Sequence, residues 1–174
     1  MKKISFRNDV LPLKNELYRL ALRITLNNAE AEDVVQETMI KVWNRRDDWA
    51  NIESIEAFCL TVCRNLALDK SKKKANQSQS LDEGMGAESP PDRSYASNPE
   101  EQAMHNDSIN LVRRLIDSLP EKQRSVMQLR DIEGKAYKEI AAILSISEEQ
   151  VKVTLFRARQ FIKQKYIETE RYGL

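Results

Sequence analysis

Histidine occurs once in this 174-residue chain, cysteine twice and glycine four times. The single histidine, His105, sits apart from both cysteines, which leaves no nucleophile–histidine pair and no cluster of metal ligands. The four glycines form no phosphate-cradling loop. Cys59 and Cys63 lie four residues apart, one turn of a helix, where disulfide geometry is poor. They read as two small buried apolar side chains. No apolar run approaches the roughly 18 residues of a membrane span. The basic start, MKKISFRNDV, lacks the apolar stretch of a signal peptide. The expectation is a cytoplasmic protein with no direct membrane insertion, no catalytic residues, no metal and no cofactor.

Charge is abundant, and its distribution says more than its sum. The formal net charge is +1. Residues 1–75 carry a net +3, residues 76–103 a net −5 and residues 104–174 a net +3. The middle stretch, NQSQSLDEGMGAESPPDRSYASNPEEQA, holds three of the five prolines, two of the glycines and few apolar residues. It reads as an acidic flexible linker between two mildly basic lobes.

Each lobe reads as helices, and no strand pattern competes. Pro12 suits a first helical turn, and Leu13, Leu17, Leu20 and Ile24 follow at helical spacing. Asn27 and Asn28 end that run and can cap the next helix. In AEAEDVVQETMIKVWNRR the inward set is Ala31, Val34, Val35, Met39, Val42 and Trp43. A third helix starts near Ser54, turns Ile55, Phe58, Val62, Leu66 and the cysteines inward, and ends in a basic run, Lys70 to Lys74. In the second lobe, Asn98-Pro99-Glu100-Glu101 has the form of a helix start. Ile109, Val112, Leu115, Ile116 and Leu119 follow. Pro120 restarts the chain, and Gly134 can stop it. The fold class is all-α: two small helical domains joined by the linker.

The last segments carry the functional signal. KAYKEIAAIL, a short SIS turn and SEEQVKVTLFRARQFIKQK form a helix-turn-helix. Ser147 and Gln150 fit a capping box. On the second helix Val151, Leu155, Ala158 and Ile162 share one stripe, at about 100° per residue. Val153, Phe156, Arg157, Gln160 and Gln164 fall opposite. Such a helix enters a major groove. Arg157 can bond a guanine, Val153 and Phe156 can meet thymine methyls, and Lys152, Thr154 and Arg159 suit phosphates or bases.

LPEKQRSVMQLRDIEGKAYKEIAAILSISEEQVKVTLFRARQFIKQ resembles region four of the bacterial extracytoplasmic-function (ECF) sigma factors, which reads the minus-thirty-five promoter element. AEAEDVVQETMIKVW resembles the core-polymerase-binding helix of their region two. AFCLTVCRNLALDK resembles the helix that contacts the minus-ten element. The resemblance implies that Asp33, Gln36, Glu37 and Ile40 meet core RNA polymerase. It implies that the loop DDWANIES, with Trp49 and Asn51, captures a minus-ten base. Arg64 and Asn65 match a pair near the melted strand, and Lys70, Lys72 and Lys73 would meet phosphates. The family's usual Trp and Tyr-Arg pair before Arg64 are replaced here by Phe58, Leu60 and Thr61.

The implied function is a promoter-specificity subunit that partners core RNA polymerase and promoter DNA. A restraining anti-sigma factor, membrane-bound or not, is a family expectation. Two rivals are a stand-alone helix-turn-helix regulator and a helical adaptor that no longer binds DNA. The division into 1–75, 76–103 and 104–174 predicts that limited proteolysis cuts first between Asn76 and Ala103 and leaves two helical fragments. Uniform resistance there would mean a packed connector.

Overall fold

The computed structural model describes residues 3–80 and 99–172, with side chains placed for 3–76 and 107–171. Among these residues there are seven α-helices and no strand. Lobe one holds α1 (Lys14–Thr25), α2 (Asn28–Asn44) and α3 (Ile55–Ser80). Lobe two holds α4 (Pro99–Asp117), α5 (Glu121–Met127), α6 (Tyr137–Leu144) and α7 (Glu148–Tyr172). The stretch expected as a linker is helical at both described ends, since α3 runs to Ser80 and α4 starts at Pro99. Residues 81–98, with Gly84, Gly86 and the expected cap Asn98, lie outside the described residues.

The three helices of lobe one pack on one another. Leu17, Leu20 and Ile24 of α1 are buried, as their spacing predicts. Each such side chain contributes about 2 kcal/mol by leaving water. Asn27 caps α2: its side-chain oxygen accepts from the Glu30 amide at 3.0 Å. A cap of this kind is worth about 1 kcal/mol. Ala31, Val34, Val35 and Val42 are buried, together with Thr38, whose hydroxyl donates to the Val34 carbonyl at 2.6 Å.

Trp43, expected inside, is 45% exposed. Its place is taken by Trp49, in the short 3-10 turn Arg46–Asn51 after α2. Trp49 is buried and donates its indole N–H to the Val42 carbonyl at 3.1 Å. Trp43 lies over it as an outer layer, edge-on to Trp49 and to Phe6, with the Arg46 guanidinium 4.6 Å from its ring centre.

The buried face of α3 is also rotated from the expected one. Phe58 and Val62 are half-buried, whereas Leu60, Arg64 and Ala67 are buried with both cysteines. The reason is tertiary. α3 is covered by α1 and α2 on one side and by α6 of lobe two on another. Leu60 is therefore core, and the Thr61 hydroxyl turns back to the Ala57 carbonyl at 2.8 Å.

Lobe two packs α5, α6 and α4 against α7. Gly134 ends the α5 segment with φ +71°, a conformation that costs a residue with a Cβ about 1 kcal/mol. The Lys135 amide then reaches back to the Leu129 carbonyl at 2.9 Å. The lobes also touch each other, α1 on α5 and α3 on α6.

Cys59 and Cys63 are fully buried free thiols. Cys63 Sγ donates to the Leu17 carbonyl at 3.3 Å. Burial pushes both thiols up to about 12, so the reactive thiolate is absent near neutral pH. Neither cysteine is expected to react with iodoacetamide in the native protein, and both should react in denaturant. Rapid native labelling, read by mass spectrometry, would contradict this packing.

Candidate nucleic-acid and polymerase interface

The helix-turn-helix is built by short-range chemistry. α6 ends at Ser145, which takes the left-handed conformation (φ 56°, ψ 45°). The Ile146 amide closes the turn on the Ala141 carbonyl at 3.0 Å. Ser147 and Gln150 then exchange bonds: the Gln150 amide donates to Ser147 Oγ and the Ser147 amide to Gln150 Oε1, both at 3.1 Å. This is the capping box that the sequence predicts. Ala141 is buried and small where the helices approach, and Ile146 packs on the core.

The rotation of α7 follows from what it buries. Val151, Leu155 and Ala158 are 0–2% exposed, and Ile162 packs beside them. Val153 and Phe156 stand 47% and 63% exposed on the other side. Arg157 is exposed beside them and has no ion-pair or hydrogen-bond partner among the described residues. Lys152 is exposed and lies 5.5 Å from the centre of the Tyr137 ring. Thr154 is half-buried at the edge of the face.

Arg159 is differently placed. Its guanidinium clasps Asp131 with two bonds, Nε to Oδ2 at 3.1 Å and Nη2 to Oδ1. The bonded carboxylate holds this guanidinium above its ordinary pKa. Arg159 therefore ties α7 to the turn after α5 as well as flanking the outward face. The sequence reading missed Tyr137 at the start of α6, whose ring centre lies 4.2 Å from the Arg130 guanidinium.

Lobe one presents two further surfaces. On α2, Asp33, Gln36, Glu37 and Ile40 are all exposed, and Ile40 reaches 59%. Glu37 also lies 3.4 Å from Lys70 of α3, so two of the expected contact residues pair with each other. Lys72 and Lys73 are exposed along the same helix.

A groove of about 530 Å³ runs between the end of α2 and α3, lined by Lys41, Arg45, Phe58, Thr61, Asn65 and Asp69 among others. Asn65 stands exposed in it. Lys41 and Arg45 were not in the sequence-derived set, because nothing in their local spacing separates them from other surface cations.

Two expected contacts do not present themselves to solvent. Trp49 is 8% exposed, with its N–H already bonded, whereas Asn51 beside it is exposed. Arg64 is also 8% exposed, and its Nη2 lies 3.2 Å from Glu121 of lobe two.

Residues 10–77 match the family Sigma-70 region 2, and residues 109–162 match Sigma-70, region 4. The ECF RNA polymerase sigma-E factor of Escherichia coli (strain K12) is 30% identical over 142 residues, which cover 79% of this chain and 74% of that protein. The chain belongs to the ECF RNA polymerase sigma factor family.

The ECF sigma factor SigE of Mycolicibacterium smegmatis is 31% identical over 152 residues, 86% of this chain. The match spans only 56% of that longer relative. Two solved structures share the fold. The sigma factor RpoE of Bartonella quintana, in complex with the anti-sigma factor NepR, has a TM-score of 0.73 at 22% identity and covers 94% of this chain and 96% of its own. CnrH, in complex with the cytosolic domain of CnrY, has a TM-score of 0.64 at 20% identity and covers 91% and 85%. In this ECF sigma factor, regions two and four correspond to lobes one and two.

If Arg157 bonds a guanine, as its residue type and outward position suggest, Arg157→Ala should weaken binding to the upstream promoter element by about 1–3 kcal/mol, the worth of one bidentate contact, and relax its base preference. Selection from a randomised upstream element checks both. Unchanged preference would remove Arg157 from the set of readers.

Proposed function

We propose that this chain docks on core RNA polymerase through α2 and directs promoter-specific initiation by reading two DNA elements. The observation that carries the reading is Phe156, 63% exposed beside the unpaired Arg157 on the second helix of a capped helix-turn-helix. An outward phenylalanine has little use on a solvated bundle, and beside an arginine it suits a base edge and a thymine methyl. Val153, Lys152 and Thr154 complete that face. Arg159 would reach a phosphate only by relaxing its hold on Asp131.

In lobe one, Asp33, Gln36, Glu37 and Ile40 form the polymerase face. Their exposed acids with one unsupported apolar side chain are what a protein partner can cover. Asn51, Asn65, Lys70, Lys72 and Lys73 line the approach of the minus-ten strand, and Lys41 and Arg45 extend it. Trp49 acts by fixing the turn that carries Asn51. Arg64 joins this set only when released from Glu121.

Bond making belongs to the polymerase in this reading, and the chain supplies recognition. Among the described residues no helix is long and apolar enough to cross a membrane. A cytoplasmic site of action beside the polymerase is part of the proposal. So is a restraining anti-sigma partner, of the kind bound to RpoE in one solved neighbour.

Transcription in vitro with purified core polymerase on a promoter library tests the reading. Reversing the charge at Asp33 and Glu37 should cut core association at least tenfold and leave the melting temperature within a few degrees, since both are surface positions. Normal pull-down by the reversed variant would move the polymerase face elsewhere.

A further inference from the structure

The short turn Arg46–Asn51 borders a second groove. Arg45 lines the groove between α2 and α3, and the next residue, Arg46, opens onto another cavity of about 660 Å³. That volume lies within the range of small-ligand clefts, roughly 300–1,000 Å³. Ile4, Trp49, Ala50 and Ile52 supply its apolar surface. Lys3, Arg46 and Asp47 supply its charged groups, two cations to one carboxylate, so the groove attracts a polyanion.

Arg46 is held without being neutralised. Its guanidinium lies 4.6 Å from the centre of the Trp43 ring, and its Nη1 donates to the Trp43 carbonyl at 3.2 Å. Trp43 is fixed in turn, edge-on to Phe6 and to Trp49. Among the described residues neither Arg46 nor Lys3 has a carboxylate partner. Arg19, Arg23, Arg64 and Arg159, by contrast, each face one. Neutral groups fix the position of Arg46 and leave its charge for an anion. A backbone phosphate is one that a guanidinium fork matches with two bonds.

Asp47 is the other unpaired group. It is exposed at the groove and has no ion pair or hydrogen bond among the described residues. An ionised carboxylate can only accept hydrogen bonds. In a single strand the Watson–Crick edges of the bases are open to such a group. Guanine alone carries two donor groups side by side on that edge, N1–H and the N2 amino group, and they match the two carboxylate oxygens. Adenine, cytosine and thymine each offer one donor group there.

We propose that this groove holds a second nucleotide of the melted minus-ten strand, next to the one captured across the turn: Arg46 and Lys3 bind its phosphate, the apolar wall carries its base, and Asp47 selects guanine. The inference rests on the reading of the turn and of the α2–α3 groove as the path of that strand. The two grooves start at adjacent residues, so one strand can follow both.

The test is selection from random single-stranded DNA by holoenzyme assembled from the full chain and purified core polymerase, with core polymerase alone as the background. Strands kept by the parent should share one motif with a guanine at its edge. In Asp47→Asn the preference for that guanine should fall about tenfold, the effect of one lost bidentate base contact, while the rest of the motif persists. Ala50→Trp fills the groove and keeps the carboxylate, and it should remove the same preference. Arg46→Gln should weaken all strands alike and lower the salt dependence of binding by about one phosphate contact. All three positions are exposed, so the melting temperature should stay within a few degrees.

A motif with no guanine that responds to both Asp47→Asn and Ala50→Trp would overturn the proposal. So would loss of core association in these two variants with the strand motif intact, which would make the groove a protein contact. If the parent enriches no motif over core polymerase alone, the strand reading of lobe one fails, and the second nucleotide site fails with it.

Discussion

Burying Val151, Leu155 and Ala158 is the constraint on which the outer face of α7 depends. Helix α7 can rotate to only one position that places all three against α5 and α6. The capping box at Ser147 and Gln150 then fixes where the helix begins. Rotation and starting point together determine the direction of every other side chain. Val153, Phe156 and Arg157 are held outward because the opposite face has no alternative. A reading surface specified in this way needs no contact of its own to stay in place, and it can keep its polar groups for a ligand.

The charges of the chain are organised by a different rule. A net charge of +1 is small for a protein that follows a polyanion. Part of the cationic complement is used internally. Arg19, Arg23 and Arg64 face carboxylates of lobe two, Arg159 holds Asp131, and Lys70 lies against Glu37. Among the proposed contact residues, Lys41, Arg45, Lys72 and Lys73 in lobe one and Lys152 and Arg157 on α7 remain exposed for phosphates.

The parts of this fold that were legible in the sequence are those written in local chemistry. Asn27 and the Ser147–Gln150 box cap the helices that they precede, Gly134 takes a positive φ, and the stripes of α1, α2 and α7 follow helical spacing. The errors come where distant residues decide. Trp43 and Trp49 fit the same lobe-one core, and the carbonyl of Val42 chooses Trp49 by accepting its indole N–H. The inward face of α3 was read from Ile55, Phe58 and Val62, but α6 covers another side of that helix and draws in Leu60 and Arg64. The partner of Arg64 lies 57 residues away, and no periodicity announces it. The resemblance to a family named Arg64 and Asn65 as a pair; only the tertiary structure separates them, one covered and one open.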